Sequence, residues 1–373
     1  MSRLSYFAFN CPKVYLILFV CSISLATCRK TQDNLCPIKF NEPAYELVDE
    51  ERVLTLRKLG HSEEIVYLRY DYAFPFREGF AYVHQNGKKG YIDRSGKLVI
   101  EIQSSDASSF YEGLARIRTN DRWGFIDKSG KVVIEQQFEE ASDFSEGLAM
   151  VRIDGQYGFI DTTGKMAIES QYDYSIGGFS EGLAYVRMGD QLGFIDKSGN
   201  LMVQPASELT VMGVFTDSRA LVQKDGIYGF IDTSGHLIVQ PQFTRAHPFR
   251  EGLSAVEQDF RWGFVDTSGK LIIQPQFTDA FWFTEGLAAV RVGSKWGFID
   301  KSGNMVIQPQ FDSVRPFAEG LAGIRVDYKW GLIDKSGKTV IEPQFEDIGI
   351  FHEGIATVQV KQKIGFLTRP ICE

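Results

Sequence analysis

Short apolar runs, each closed by glycine, aspartate or proline, follow one another along this chain from Tyr72 onward. One of them, Leu148-Ala149-Met150-Val151-Arg152, passes through Ile153-Asp154-Gly155-Gln156 into Tyr157-Gly158-Phe159-Ile160-Asp161. Runs that short, rich in β-branched and aromatic residues, predict strands rather than helices. Asp154-Gly155 predicts a two-residue hairpin, because both turn positions require positive φ. Counting outward from that turn pairs Arg152 with Tyr157 and Val151 with Gly158. The same count pairs Arg118 with Trp123, Arg291 with Trp296 and Arg325 with Trp330, which predicts a guanidinium over an aromatic ring in each.

A second turn follows each aromatic strand. It reads Asp-x-Ser/Thr-Gly, as in Asp127-Lys128-Ser129-Gly130 and Asp300-Lys301-Ser302-Gly303. Aspartate opening a type I turn, with glycine in the left-handed position three residues on, suits a bulged hairpin. A third strand such as Lys131-Val132-Val133-Ile134 comes next and is expected to stop at Gln-Pro-Gln-Phe, where proline removes a ladder donor. A linking loop with Phe-x-Glu-Gly, such as Phe144 to Gly147, leads into the next copy.

The pattern is periodic. The glycine that follows the aromatic position falls at Gly90, Gly124, Gly158, Gly193, Gly229, Gly263, Gly297, Gly331 and Gly365, at spacings of 34 to 36 residues. Two further glycines per copy, in Glu-Gly and in Asp-x-Ser/Thr-Gly, bring the periodic total to 25 of 36. Only copy five lacks Glu-Gly, having Asp217-Ser218 instead. A fixed period over nine copies means a repeat array in which each unit buries its apolar face on its neighbours. Helical repeats of similar length are excluded by so much glycine in each unit.

Arg-Trp-Gly-Phe-Ile-Asp-Lys-Ser-Gly-Lys and Lys-Trp-Gly-Phe-Ile-Asp-Lys-Ser-Gly-Asn resemble the bacterial WG repeat family, also called KWG repeats. The resemblance runs from about Tyr72 to Leu367. Trp123, Trp262, Trp296 and Trp330 hold the eponymous position, and Lys89, Leu192 and Ile364 depart from it. A fainter similarity links the aromatic hairpins to cell-wall binding repeats that form ligand sites between stacked hairpins. The row Phe125, Phe159, Phe194, Phe230, Phe264 and Phe298 is instead assigned to the core, since such an array has little else to bury.

Composition narrows the function. A net charge of −8 argues against binding phosphate backbones, so nucleic acid is not an expected partner. The five cysteines are Cys11, Cys21, Cys28, Cys36 and Cys372, which leaves the repeats without a disulfide framework. Arg3 and Lys13 precede an uncharged run from Val14 to Ala26, the length of a signal-peptide core and too short to span a bilayer. Leu25-Ala26-Thr27-Cys28 resembles a lipobox with Cys28 as the lipidation candidate, and Ser24-Leu25-Ala26 offers a competing ordinary cleavage site. The expected organisation is a signal peptide over 1–27, a linker over 28–44, a degenerate cap repeat over 45–71, WG-type repeats over 72–367 and a tail over 368–373.

Chemistry is sparse. His61, His84, His236, His247 and His352 include no pair at ligand spacing. The turn aspartates, Asp93, Asp127, Asp161, Asp196, Asp232, Asp266, Asp300 and Asp334, are read as turn caps, because catalysis needs one asymmetric constellation rather than eight copies of one residue. Glu112, Glu146, Glu181, Glu251, Glu285, Glu319 and Glu353 form a row that either hydrogen-bonds nearby backbone or guides a basic or sugar partner.

These readings predict an all-β array of nine three-stranded units, drawn as an open superhelix of stacked hairpins, with a closed propeller-like ring as the alternative. The open form is expected because nine three-stranded units match neither the four-stranded blades nor the roughly four to eight blades of ordinary propellers. A disulfide between Cys36 and Cys372 would require closure. The expected function is a non-enzymatic, monomeric interaction scaffold on the bacterial envelope, exported and lipid-anchored, periplasmic or extracellular, with no cofactor and no metal. Its partner is an unknown protein or glycan. A carbohydrate or cell-wall binding module is the alternative, and a glycan hydrolase the minor one.

Overall fold

The structure, a computed structural model, describes residues 70–369 and the backbone of one short antiparallel pair, Leu47–Val48 with Val53–Leu54. The segments expected as signal peptide and linker, with Cys28, Cys36 and Cys372, lie outside the described residues.

The second sheet shows how one unit is built. Its strands are Asp106–Ala107, Leu114–Thr119, Arg122–Asp127 and Val132–Phe138, each antiparallel to the next and arranged in chain order. The middle hairpin has the register counted from the sequence, with Ile117 opposite Gly124 and Arg118 opposite Trp123. In the third sheet Val151 faces Gly158 and Arg152 faces Tyr157, across Asp154 at φ 48° and Gly155 at φ 81°. Eight sheets of this kind run from Tyr72 to Phe345, and Asp347–Ile348, Ile355–Val360 and Lys363–Thr368 form a three-stranded ninth.

Two expectations about the unit are corrected. A fourth strand exists: the residues after the Gln-Pro-Gln-Phe segment pair with the following strand, as Ala246 does with Val256 and Val314 with Ile324, and Ala107 and Ala141 pair likewise with Ile117 and Val151 in copies without the proline. The third strand also runs through its proline. Leu271–Phe277 includes Pro275, and its pairing shifts register between Phe264↔Ile273 and Trp262↔Phe277. The proline sits in that bulge, where no ladder donor is needed. The bulged backbone then crosses the glycine beside the aromatic residue: a Cβ on Gly331 would lie 2.5 Å from the Ile341 carbonyl oxygen and 2.7 Å from the Pro343 nitrogen. Glycine is required there by close approach rather than by φ.

The array closes, so the ring replaces the open superhelix. Tyr70 bridges to Ile364 of the ninth sheet through Tyr70 N–H to Ile364 O at 3.1 Å and Ile364 N–H to Tyr70 O at 2.9 Å. It thereby takes the outer position that Phe311 holds opposite Trp296 and Phe345 opposite Trp330. Tyr70 and Phe76 both meet Phe366, at centroid distances of 5.7 and 4.9 Å. With the short inner strand counted, eight units are four-stranded blades and Tyr70 supplies the outer position of the ninth, which removes the strand-count argument against a propeller, while nine blades exceed the usual roughly four to eight.

The core lies between sheets. Phe125 packs edge-on against Phe144 of the next sheet at 4.9 Å, Phe230 against Phe249 at 4.7 Å and Phe298 against Phe317 at 4.8 Å. The predicted row from Phe125 to Phe298 is buried throughout. Each such pair contributes about 0.5–1.5 kcal/mol beyond area burial.

Candidate functional site

The Glu-Gly segments are tight turns rather than loops. Glu78 at φ 51° and Gly79 at φ 87° close a two-residue hairpin, with Arg77 and Phe80 exchanging both backbone hydrogen bonds. Each turn is tied to the next. The Glu78 carboxylate accepts the Gly113 N–H at 2.9 Å, Glu112 that of Gly147 at 2.8 Å and Glu319 that of Gly354 at 2.8 Å. Glu353 completes the circle by accepting the Gly79 N–H at 2.9 Å together with that of Glu78. The departure in copy five preserves the circuit, since the Ser218 N–H donates to Glu181 and Asp217 accepts from Gly252 at 2.7 Å.

Basic residues of the Asp-x-Ser/Thr-Gly turns brace the same carboxylates: Lys128 to Glu78, Lys335 to Glu285 and Arg94 to Glu353, at 2.9 to 3.1 Å. Partial burial pushes the Glu353 carboxyl up, but Arg94 and the Gly79 and Glu78 amides outweigh it and hold it below the ordinary glutamate range. Glu78 and Glu251 are shifted the same way by the same balance. The acidic row is therefore committed to backbone, the first of its two readings. The turn aspartates act locally as well: Asp127 Oδ1 accepts the Ser129 hydroxyl and the Ser129 and Lys131 amides, and the hydroxyl is the chief reason its pKa is lowered.

Against this uniform frame, the residues that differ between copies gather on two surfaces. One is the inner wall. There the short inner strand faces the second strand across pairs of reciprocal size: Ser108 against Arg116, His247 against Ala255, Arg315 against Gly323. The larger member covers the aromatic residue of its own sheet. Arg116 lies 4.9 Å over Trp123, His247 stacks on Trp262 at 5.0 Å and Arg315 lies 5.0 Å over Trp330. Burial, and then the Arg245 charge, lower the His247 pKa and keep that stacked ring neutral. Trp262, Trp296 and Trp330 are buried, and of the four indoles at this repeat position only Trp123 is half-exposed.

The predicted guanidinium contacts form at Arg118–Trp123, Arg152–Tyr157 and Arg325–Trp330. For Arg291 the strand pairing with Trp296 holds, but the indole is stacked by Phe281 at 4.9 Å.

The second surface is the set of hairpin tips. Most copies place Asn-Gly, Asp-Gly or another small or polar pair there, yet sheets six and eight carry Asp259-Phe260 and Asp327-Tyr328. Phe260 and Tyr328 hold φ values of 59° and 64° and are each 87% exposed. Sequence reasoning missed both, although an aromatic residue standing where other copies place glycine was the available signal.

Nine antiparallel sheets closed by their own first strand residue define a β-propeller. The repeat described as WG containing repeat matches over residues 61–88, 90–123, 123–157, 157–191, 193–226, 228–259, 262–296, 296–330 and 330–363, and the chain belongs to that family. Each matched unit straddles two sheets: 123–157 takes the third and outer strands of sheet two and the first two of sheet three. No curated protein matches. Among solved structures, one described as a eukaryotic initiation factor aligns at TM-score 0.56 and 12% identity, over 76% of this chain and 92% of that one. The extracellular domain of a putative one component system from B. thetaiotaomicron aligns at TM-score 0.34 and 10% identity, over 89% of this chain and 54% of that one.

Proposed function

We propose that this propeller is a non-enzymatic interaction scaffold that works outside the cytoplasm and binds a protein partner through the tips of sheets six and eight. The carrying observation is Phe260 with Tyr328. A bulky residue in the left-handed region costs on the order of 1 kcal/mol, and a solvent-facing ring gains nothing from its own fold. Exposed aromatic side chains of this kind are what partner proteins bury as binding hot spots. The apolar run of Val14 to Ala26 supports export, with Cys28 as the anchor when lipidated.

Glycan binding by the aromatic hairpins has less support, because the indoles at Trp262, Trp296 and Trp330 are capped by their own sheets. The test is capture from envelope extracts with the mature chain and with a Phe260→Gly, Tyr328→Gly double variant. The variant should melt no lower than the parent and lose the specifically retained proteins. Retention of the same proteins by both would overturn the reading.

A further inference from the structure

The inner wall of sheets one to three holds a cavity of about 330 Å³, at the small end of the ~300–1,000 Å³ range of ligand pockets. Arg77 lies 4.7 Å over the Tyr111 ring and has no carboxylate within ion-pairing distance among the described residues. Every basic partner of the acidic circuit described above is spent on a glutamate, whereas this guanidinium keeps its donors for something else.

Two carboxylates line the same cavity, each with one oxygen that makes no hydrogen bond or ion pair among the described residues. Asp143 Oδ1 is ion-paired with Arg116 Nε at 2.9 Å, and Asp106 Oδ1 accepts the Ala107 N–H at 2.9 Å. Arg116 is itself consumed by Asp143, by the Ala141 carbonyl at 2.5 Å and by the Trp123 face. The floor is therefore fixed, while Arg77, the Tyr111 hydroxyl and the second oxygens of Asp106 and Asp143 remain for a ligand.

We propose that this pocket binds a uronic acid, a sugar-sized ring bearing one carboxylate and several hydroxyls. The donor and acceptor balance selects it. A planar guanidinium takes a carboxylate through two parallel N–H bonds. The aspartate oxygens accept only, so the rest of the ligand must bring donors, which ring hydroxyls supply. An acidic peptide satisfies Arg77 but sets mostly carbonyl acceptors against Asp106 and Asp143. A neutral sugar leaves Arg77 unused.

The pocket shares no residue with the Phe260 and Tyr328 tips, so either reading can fail without the other. Calorimetric titration of the full mature chain with D-glucuronate, D-glucose and N-acetylglutamate tests it. Saturable glucuronate binding is expected, with glucose and N-acetylglutamate each about tenfold weaker or more. Arg77→Gln should weaken glucuronate by at least about tenfold, and Arg77→Lys should restore part of the loss. Asp106→Asn should weaken glucuronate while leaving N-acetylglutamate unchanged, and the melting temperature of each variant checks that it is folded. No saturable glucuronate binding, an unaffected Arg77→Gln variant, or N-acetylglutamate bound as tightly as glucuronate would overturn the assignment, the last in favour of an acidic peptide.

Discussion

The junction between sheets seven and eight and the one between sheets nine and one use the same contacts. In the first, Glu285 accepts the Gly320 amide at 2.9 Å, Lys335 braces that carboxylate and Phe298 meets Phe317. In the second, Glu353 accepts the Gly79 amide, Arg94 braces it and Phe366 meets Phe76. What differs is covalent continuity. Sheet eight follows sheet seven along the chain, whereas sheets nine and one are joined across 275 residues. Loop-closure entropy grows only logarithmically, so three doublings beyond a single repeat cost about 2 kcal/mol. The seam needs no special device: the ordinary contacts of one repeat, plus Tyr70 as an outer strand, offset that cost.

The sharpest way to break the comparison is at Tyr70. Tyr70→Ala removes a buried ring and should cost about 3–5 kcal/mol, as should Phe311→Ala within sheet seven. Only Tyr70→Ala should also increase the radius of gyration in solution scattering, through ring opening. Identical scattering from the two variants would show that the seam is no weaker than any other junction.

A smaller effect is expected from the carboxylates. Glu353→Gln and Glu285→Gln should each cost about 1 kcal/mol, a value already reduced for solvent screening. Hydrogen exchange separates them, because Glu353→Gln should accelerate the Ile364 amide that donates to Tyr70 and Glu285→Gln should not. Acid gives the smallest and most graded test. The Glu78, Glu251 and Glu353 pKa values lie below the ordinary 4.5, so the unfolded chain takes up protons first as pH falls. The stability they contribute is complete above about pH 4.5 and is lost as pH falls through the lowered values. The melting temperature of the parent should therefore drop in that window, and that of Glu353→Gln should drop less.

Local features of the fold were legible because one repeat carries them entirely. The Asp154-Gly155 turn set its own register, the Asp127 turn its own hydrogen bonds, and Phe159 its burial. Closure was not legible, since it depends on the small rotation accumulated from sheet to sheet. The fourth strand was missed for a related reason: Asp106–Ala107 is two residues long and has no alternation of its own to detect. Nor was the inner wall visible. Ser108 and Arg116 look unrelated in sequence until strand pairing sets them face to face, and Arg77 acquires its significance only when Tyr111 of the next sheet arrives beneath it.

The offset between matched unit and sheet has a consequence for how such rings change size over generations. Excising the codons for Trp123 to Gln156 would join Arg122 to Tyr157, splicing the first half of sheet two to the second half of sheet three. The product has eight sheets, and each surviving junction retains its glutamate, its glycine amide and its aromatic pair. Unequal recombination at the tryptophan positions can thus add or delete whole blades without touching the seam, making blade number one of the most readily varied properties of this architecture.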